Sequence, residues 1–181
     1  FSNGDPTNGD NYESFEGSCL VGGFGTNRAF TIPLENTTMD LVCFNSCEAC
    51  PVPNVFFSEY IEGGSSNKAI EIFNGTSNEI NLSDFSIKLF ANGAIDPPTS
   101  TWTGTSNLAS GKTYILYNSS SVATIKEKGD EPSGTINFNG DDALGLYYQD
   151  FLIDVVGVIG SDPGTGWDVA GIATGTLNHT L

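Results

Sequence analysis

The sequence predicts an all-β fold, a sandwich or a barrel. Its composition favours strands and tight turns, because glycine is abundant, with 22 residues in 181, and the Ala/Leu/Glu/Lys-rich stretches typical of helices are missing. Short apolar runs recur at a spacing of roughly ten residues with turn residues between them, the pattern of a sandwich or barrel. A hydrophobic fraction of 38% is sufficient for a packed core.

The first 50 residues predict a partial β module. Residues 27–33 and 39–47 are typical of two strands joined by a short hairpin connection. Two or three strands do not bury a core alone, so disulfides or strands from elsewhere must complete this module. Residues 51–54, with two prolines, are predicted to be a stiff linker before a second domain over 55–181.

Regular alternation starts at residue 55. A helix of about two turns is predicted over 119–129, with serine caps and a terminal Gly129. A polar stretch, 92–112, for which no strand is predicted, leads to the strand that begins at residue 113. Strands are predicted over 55–61, 68–74, 80–84, 85–91, 113–118, 135–140, 143–148, 151–160 and 175–181.

The charge balance restricts the partners. Twenty-two acidic residues face only six Lys and Arg, which gives a formal net charge of −16. Such a surface repels nucleic acid and anionic membranes, and no apolar run approaches the ~20 residues that span a bilayer. Cations, Ca²⁺ in particular, are the expected small partners; no other cofactor is predicted.

Four cysteines, Cys19, Cys43, Cys47 and Cys50, point to an exported protein. The Cys47–Cys50 spacing also suits zinc, but a zinc ribbon carries a second close pair, which is missing. An even cysteine count with few lysines favours two disulfides and an extracellular or cell-surface location. All three pairings remain open.

Four segments between about residue 55 and 181 carry a specific resemblance: VFFSEYIEGGSSNKAIEIFNGTSNEINLSDFSIKLFANG, LASGKTYILYNSSS, INFNGDDALGLYYQDFLIDVVGVIG and DPGTGWDVAG. They are similar to the lamin-tail domain of exported bacterial proteins, a resemblance that implies an immunoglobulin-like β-sandwich whose last strand is truncated here. In residues 1–50, the segments FSNGD, NRAFTIPLENTTMDLVCF and SCEAC more weakly resemble the C-terminal part of starch- and glycogen-binding β-sandwich modules.

The segment INFNGDDALGLYY, residues 136–148, carries two adjacent acids on a glycine turn. Asp141 is predicted to hydrogen-bond the turn backbone and Asp142 to open the next strand facing solvent. A calcium site at this pair is the alternative. Catalysis is not expected, since His, nucleophile and a second acidic pair are missing nearby.

A second calcium candidate is the loop 3–13, in which Asp5, Asp10 and Glu13 stand among amide oxygens. The spacing does not fit an EF-hand, and a solvated loop is the alternative. A structural hydrogen-bonding role, with a cation site as the alternative, is predicted for Glu59, Glu62 and Glu71, of which Glu59 and Glu71 lie at inward or half-buried strand positions. A buried carboxylate needs a partner, for which Lys68 or a backbone turn is available.

Other motifs do not support chemistry. Residues 106–113 imitate a phosphate-binding loop, but a strand follows where a helix is required. His179 stands alone and is predicted to be a surface strand residue. Trp102 and Trp167 suit the core or loop anchoring, with sugar stacking as the alternative.

The expected function is therefore that of a non-catalytic structural, adhesion or assembly module of a secreted or cell-surface bacterial protein. Strand addition or packing would join it to other chains or domains. The alternatives are a targeting domain of an exported hydrolase (a nuclease or phosphatase), and a module that binds calcium or cell-surface glycans.

Overall fold

Short strands build the described part of the chain, which in this computed structural model covers residues 53–181. The chain divides at Pro51 into two units, and these residues belong to the second, Val52–Leu181. The strands are β1 (Val55–Glu62), β2 (Lys68–Asn74), β3 (Ile80–Asn81), β4 (Phe85–Phe90), β5 (Ser100–Thr103), β6 (Asn107–Leu108), β7 (Thr113–Tyr117), β8 (Glu131–Pro132), β9 (Ala143–Tyr148) and β10 (Phe151–Val156), with the helix α1 (Ala123–Lys126).

Two four-stranded sheets, named here sheet 1 and sheet 2, pack face to face. Sheet 1 has the order β1-β2-β7-β8, and sheet 2 has the order β10-β9-β4-β5; β3 and β6 form a small third sheet. The four-stranded sheets are antiparallel except for the β7–β8 pair, which is parallel. The prediction of an all-β sandwich is therefore confirmed for this part of the chain.

The core lies between the two sheets, where alternate residues of facing strands meet. Sheet 1 contributes Ile70 and Ile72, while β4 of sheet 2 contributes Phe85, Ile87 and Leu89. All five side chains are almost fully buried. The period-two alternation in the sequence identified these residues, because successive side chains of a strand point to opposite faces.

The polar stretch 92–112 contains two strands, β5 and β6, that the sequence did not predict. Trp102 is the core residue of β5: it is buried, with 5% exposure, and stands opposite Ile87 of β4. The threonines around it suit a strand whose other face is exposed. One buried aromatic residue thus anchors a segment that otherwise has the composition of a loop.

Residues 135–140, predicted as a strand, are not one. Ile136 and Phe138 are fully buried, as alternation predicted, but side chains rather than a strand ladder satisfy backbone groups here. Asn118 Nδ2 donates to the carbonyl of Ile136 at 2.8 Å, and the N–H of Asn139 donates to Asp142. Buried apolar spacing alone does not distinguish an extended segment held in this way from a paired strand.

The predicted helix is shorter than expected. It covers one turn, Ala123–Lys126, and Val122 occupies the N-cap position without a side-chain capping bond. Asn67, far along the chain, accepts the N–H of Val122 at 2.9 Å, whereas Ser121 donates its hydroxyl to the Ser66 carbonyl. The serines therefore do not cap α1.

Three other predicted strands are shorter than expected. β3 ends at Asn81 instead of residue 84, because Leu82–Asp84 form a turn of 3-10 helix in which Asn81 accepts the N–H of Ser83. β10 ends at Val156 instead of residue 160. Within 175–181, Thr180 forms an isolated bridge to Ile61 of β1, and the remainder is loop. The predicted partial module over 1–50, its four cysteines and the loop 3–13 lie outside the described residues, and these predictions stay as stated.

Candidate functional site

In the glycine turn before β9, it is Asp142 and not Asp141 that bonds the turn backbone. Asp142 is 2% exposed, and its two carboxylate oxygens accept the N–H groups of Asn139, at 2.7 Å, and of Asn92, at 2.9 Å. Asp141 is only half-buried. The prediction that Asp141 bonds the turn and Asp142 faces solvent was therefore wrong. Asp142 fixes two loops that are 50 residues apart.

This geometry assigns Asp142 a structural task. Carboxylates that accept two backbone N–H groups stabilise a turn without any metal. Within residues 53–181, no group of three or more His, Cys, Asp or Glu side chains converges in a way that could hold an ion. Calcium at Asp141 and Asp142 remains a prediction.

A buried ion pair joins the ends of the β1–β2 hairpin. Glu62 and Lys68 stand opposite each other on the two strands and are each 4% exposed. Glu62 bonds Lys68 Nζ through one oxygen and accepts the N–H of Asn178 through the other. Because both charges are buried, removal of either side chain would leave the other charge in the interior without a counter-charge.

Glu59 and Glu71 lie on the opposite, outward face of sheet 1. Both are half-buried, and they stand directly opposite each other in the β1–β2 ladder. The hydroxyl of Ser58 donates to Glu71 at 2.7 Å, which agrees with the predicted hydrogen-bonding role of that glutamate. Lys68, the partner considered for this pair, is instead bound to Glu62.

The outer edge of β1 is closed by other parts of the chain. The N–H of Tyr60 donates to the Leu181 carbonyl at 2.9 Å and receives the reverse bond from Leu181, also at 2.9 Å. The N–H of Glu62 donates to the His179 carbonyl at 3.0 Å. Earlier in the strand, the N–H of Phe57 donates to Asp154 Oδ2 at 2.8 Å. Main chain and a carboxylate therefore occupy this edge.

Tyr60 fixes the last segment from inside the core. Its ring stacks on Phe138 at 4.9 Å between centroids, and its hydroxyl donates to the Thr176 carbonyl at 3.2 Å. Thr176 in turn donates its hydroxyl to the Gly140 carbonyl at 2.5 Å. Burial, and then the nearby charges of Glu62, Asp142 and Asp141, raise the pKa of Tyr60 far above its usual value of 10. The phenol therefore stays neutral.

Of the two tryptophans, Trp102 belongs to the core, as the prediction favoured. Its Nε1 donates to Glu131 Oε1 at 3.1 Å, and Tyr114 donates to the other oxygen at 2.9 Å. Burial is the main cause of the raised pKa of Tyr114. Trp167 is half-buried, and its Nε1 lies close to Gly157, where a Cβ atom would stand at 2.5 Å. Trp167 thus packs on backbone as a loop anchor.

The remaining candidates agree with their non-catalytic interpretations. His179 is exposed, and its Nδ1 lies 2.6 Å from the Leu177 carbonyl. β7 begins at Thr113, the last residue of the sequence that imitates a phosphate loop, so a strand follows that sequence and no helix N-terminus is available there to bind phosphate.

The outer strand of sheet 2 presents a different surface. On β10, Phe151 and Leu152 are each 48% exposed and Val155 is 39% exposed; Val158, just beyond the strand, is 55% exposed. These four side chains are called the apolar edge below. Beside it lies an open hollow of about 340 Å³, lined in part by Val155, Val158, Trp167 and Leu181.

These sheets and contacts define an immunoglobulin-like β-sandwich. Its buried carboxylates accept hydrogen bonds from its own backbone N–H groups. The model of the lamin tail domain family matches residues 49–160, and the chain belongs to that family. Lamin tail domains are non-catalytic. The predicted lamin-tail fold is thereby confirmed for this region.

No curated protein matches the chain. Among the described residues, none of the helices has the length and apolar character required to cross a membrane.

Proposed function

We propose that this chain is a non-catalytic, extracellular assembly module that binds a second copy of itself along β10. The observation that carries the proposal is the apolar edge. β10 is the terminal strand of sheet 2, and Phe151, Leu152 and Val155 expose roughly two-fifths to one-half of their surface. A terminal strand with exposed apolar side chains is a template for strand addition or packing.

The hollow beside the strand extends this surface. Val155 and Val158 belong both to the apolar edge and to the lining of the hollow, so the exposed apolar area continues past the end of β10. A partner that pairs with β10 would therefore also find apolar contacts beyond the ladder. Backbone bonds with adjacent side-chain pockets are the usual combination in strand addition.

The extracellular part of the proposal is supported by composition. The chain has four cysteines, an even number, and only six Lys and Arg. Even cysteine numbers are typical of proteins that fold in oxidising compartments. A bacterial surface or secreted protein as the parent follows from the kind of lamin-tail domain that the sequence resembles.

Sedimentation velocity of the 181-residue chain at increasing concentration tests the assembly role. We expect the protein to associate, and Leu152→Lys combined with Val155→Lys to sediment as a monomer, since edge lysines are a natural block to strand pairing. Val122→Lys is the matched control, because Val122 is 49% exposed but lies beside α1. It should associate like the unmodified chain.

Two results would contradict the proposal. One is a chain that stays monomeric at every concentration. The other is association that the two β10 lysines leave unchanged, which would place the interface elsewhere. Circular dichroism of the variants separates loss of association from loss of folding.

A further inference from the structure

A groove with apolar walls lies on the outer face of sheet 1. It has a volume of about 240 Å³ and lies between the sheet and the helix α1. Its apolar lining includes Ile61, Ala69, Ile115 and Ile125. Small-molecule sites usually measure about 300–1,000 Å³, so this groove is closer in size to one long side chain.

Two carboxylates lie at the same groove. The register of β1 against β2 shifts between Phe57 and Glu59, and beyond this shift Glu59 stands directly opposite Glu71 on the outward face. Both glutamates line the groove. Like charges directly opposite each other on neighbouring strands are destabilising.

Partners for this charge are scarce in the described part of the chain. The Lys–Asp/Glu ion pairs found over residues 53–181 are Lys68–Glu62 and Lys88–Asp150, and neither includes Glu59 or Glu71. The one cation in the groove lining is Lys128, which is exposed. With 22 acidic residues and six Lys and Arg, the chain has an excess of negative charge that a basic partner would complement.

We infer that this groove binds the side chain of a lysine or arginine from a partner protein. The apolar stem packs on Ile61, Ala69 and Ile115, and the charged head lies between Glu59 and Glu71, where it relieves their repulsion. Long basic side chains have this division into an apolar stem and a charged head. The groove is on sheet 1 and the apolar edge is on sheet 2, so the inference does not depend on the proposed assembly role.

Titration of the isotopically labelled 181-residue chain with short blocked peptides, followed by NMR at low salt, tests the inference. The probes are Gly-Lys-Gly, Gly-Arg-Gly and, as the neutral isostere of lysine, Gly-norleucine-Gly. We expect the basic peptides to shift the amide signals of Ile61, Ile115 and Ile125 saturably. The norleucine peptide should bind about tenfold more weakly, because it lacks the charge.

Matched variants locate the charge effect. Glu59→Gln with Glu71→Gln should weaken binding of the lysine peptide by about tenfold. Glu79→Gln with Glu127→Gln makes the same change in net charge at two exposed residues outside the groove lining, and should leave affinity within about twofold. Lys128→Met removes the competing cation and should tighten binding several-fold.

Three results would overturn the inference. Equal binding of the norleucine and lysine peptides would reduce the groove to an apolar surface. Equal weakening by both glutamine pairs would show diffuse charge attraction. Weaker binding after Lys128→Met would mean that Lys128 helps to bind the peptide instead of competing with it. Circular dichroism establishes that each variant is folded.

Discussion

The outer strands β1 and β10 differ in what meets their open sides. β1 is bonded by the main chain of His179 and Leu181, and at Phe57 by the carboxylate of Asp154, which belongs to β10. Apart from that bond, β10 presents exposed apolar side chains. Since an unpaired edge is a template for other chains, a domain has reason to close its edges. Here one edge is closed internally, and the other has the chemistry of a contact surface.

The closed edge depends on buried polar groups behind it. Glu62, paired with Lys68, accepts the N–H of Asn178, and Tyr60 bonds the carbonyl of Thr176. The turn held by Asp142 supports the same segment, because Gly140 packs so closely on Leu177 that a Cβ atom there would stand 2.7 Å from the Leu177 Cα. The difference between the edges thus depends on a few interior contacts, which can be removed one at a time.

The largest effect is expected from Lys68→Met. The substitution keeps the apolar stem but leaves the charge of Glu62 buried and unpaired, so the free energy of unfolding should fall by about 3–5 kcal/mol in urea denaturation. Lys88→Met is the control: its partner Asp150 has 92% of its side chain exposed, and the loss should stay below about 1 kcal/mol. Equal losses in the two variants would contradict the role of the buried pair.

A smaller loss is expected from Asp142→Ala. The N–H groups of Asn139 and Asn92 would lose their acceptor, which should lower the free energy of unfolding by about 2–3 kcal/mol. Asp141→Ala, the adjacent half-buried residue, should change it by no more than about 0.5 kcal/mol. Thermal melts of the two variants side by side check the exchange of roles, and a larger loss in Asp141→Ala would reverse it.

The smallest effect at neutral pH is expected from Tyr60→Phe, about 1 kcal/mol for the lost bond to Thr176. The fold raises the pKa of Tyr60 above the value of 10 that it has in the unfolded chain. The unfolded chain therefore loses this proton first, and stability that is complete below pH 10 falls as the pH rises above it.

Urea denaturation from neutral to alkaline pH measures this dependence. Tyr60→Phe should flatten the alkaline decline. It should not abolish it, because the pKa of Tyr114 is also raised, mainly by burial. A decline as steep as that of the unmodified chain would show that Tyr60 does not contribute to it.

Much of the fold was predictable from local pattern. The strands that carry the core, such as β2 and β4, alternate apolar and other residues with period two, and their burial follows that alternation. β5 was missed because its one core residue, Trp102, stands among threonines and a serine. Residues 135–140 were wrongly assigned to a strand. Their apolar side chains are buried as a strand's would be, but whether a segment pairs with another strand depends on residues that are remote in the sequence.

The candidate site was less predictable, because its contacts join distant residues. The aspartates of the glycine turn are neighbours of the same type, and which one turns inward depends on where the N–H of Asn92 lies in space. One feature of the sequence indicated the Glu62–Lys68 pair: opposite charges stand at the two ends of a hairpin. The antiparallel register then places these two residues directly opposite each other. No comparable signal indicated that Asn178 would join them.

The sequence by itself determined the all-β class, the core strands and the lamin-tail resemblance. These follow from side-chain alternation, turn residues and ordered motifs, which are properties of neighbours along the chain. Only the tertiary structure decided which carboxylates are buried and which sheet edge is closed. The physical reason is that their partners are remote: the bond between Glu62 and the Asn178 N–H joins residues 116 positions apart, and folding alone brings them together.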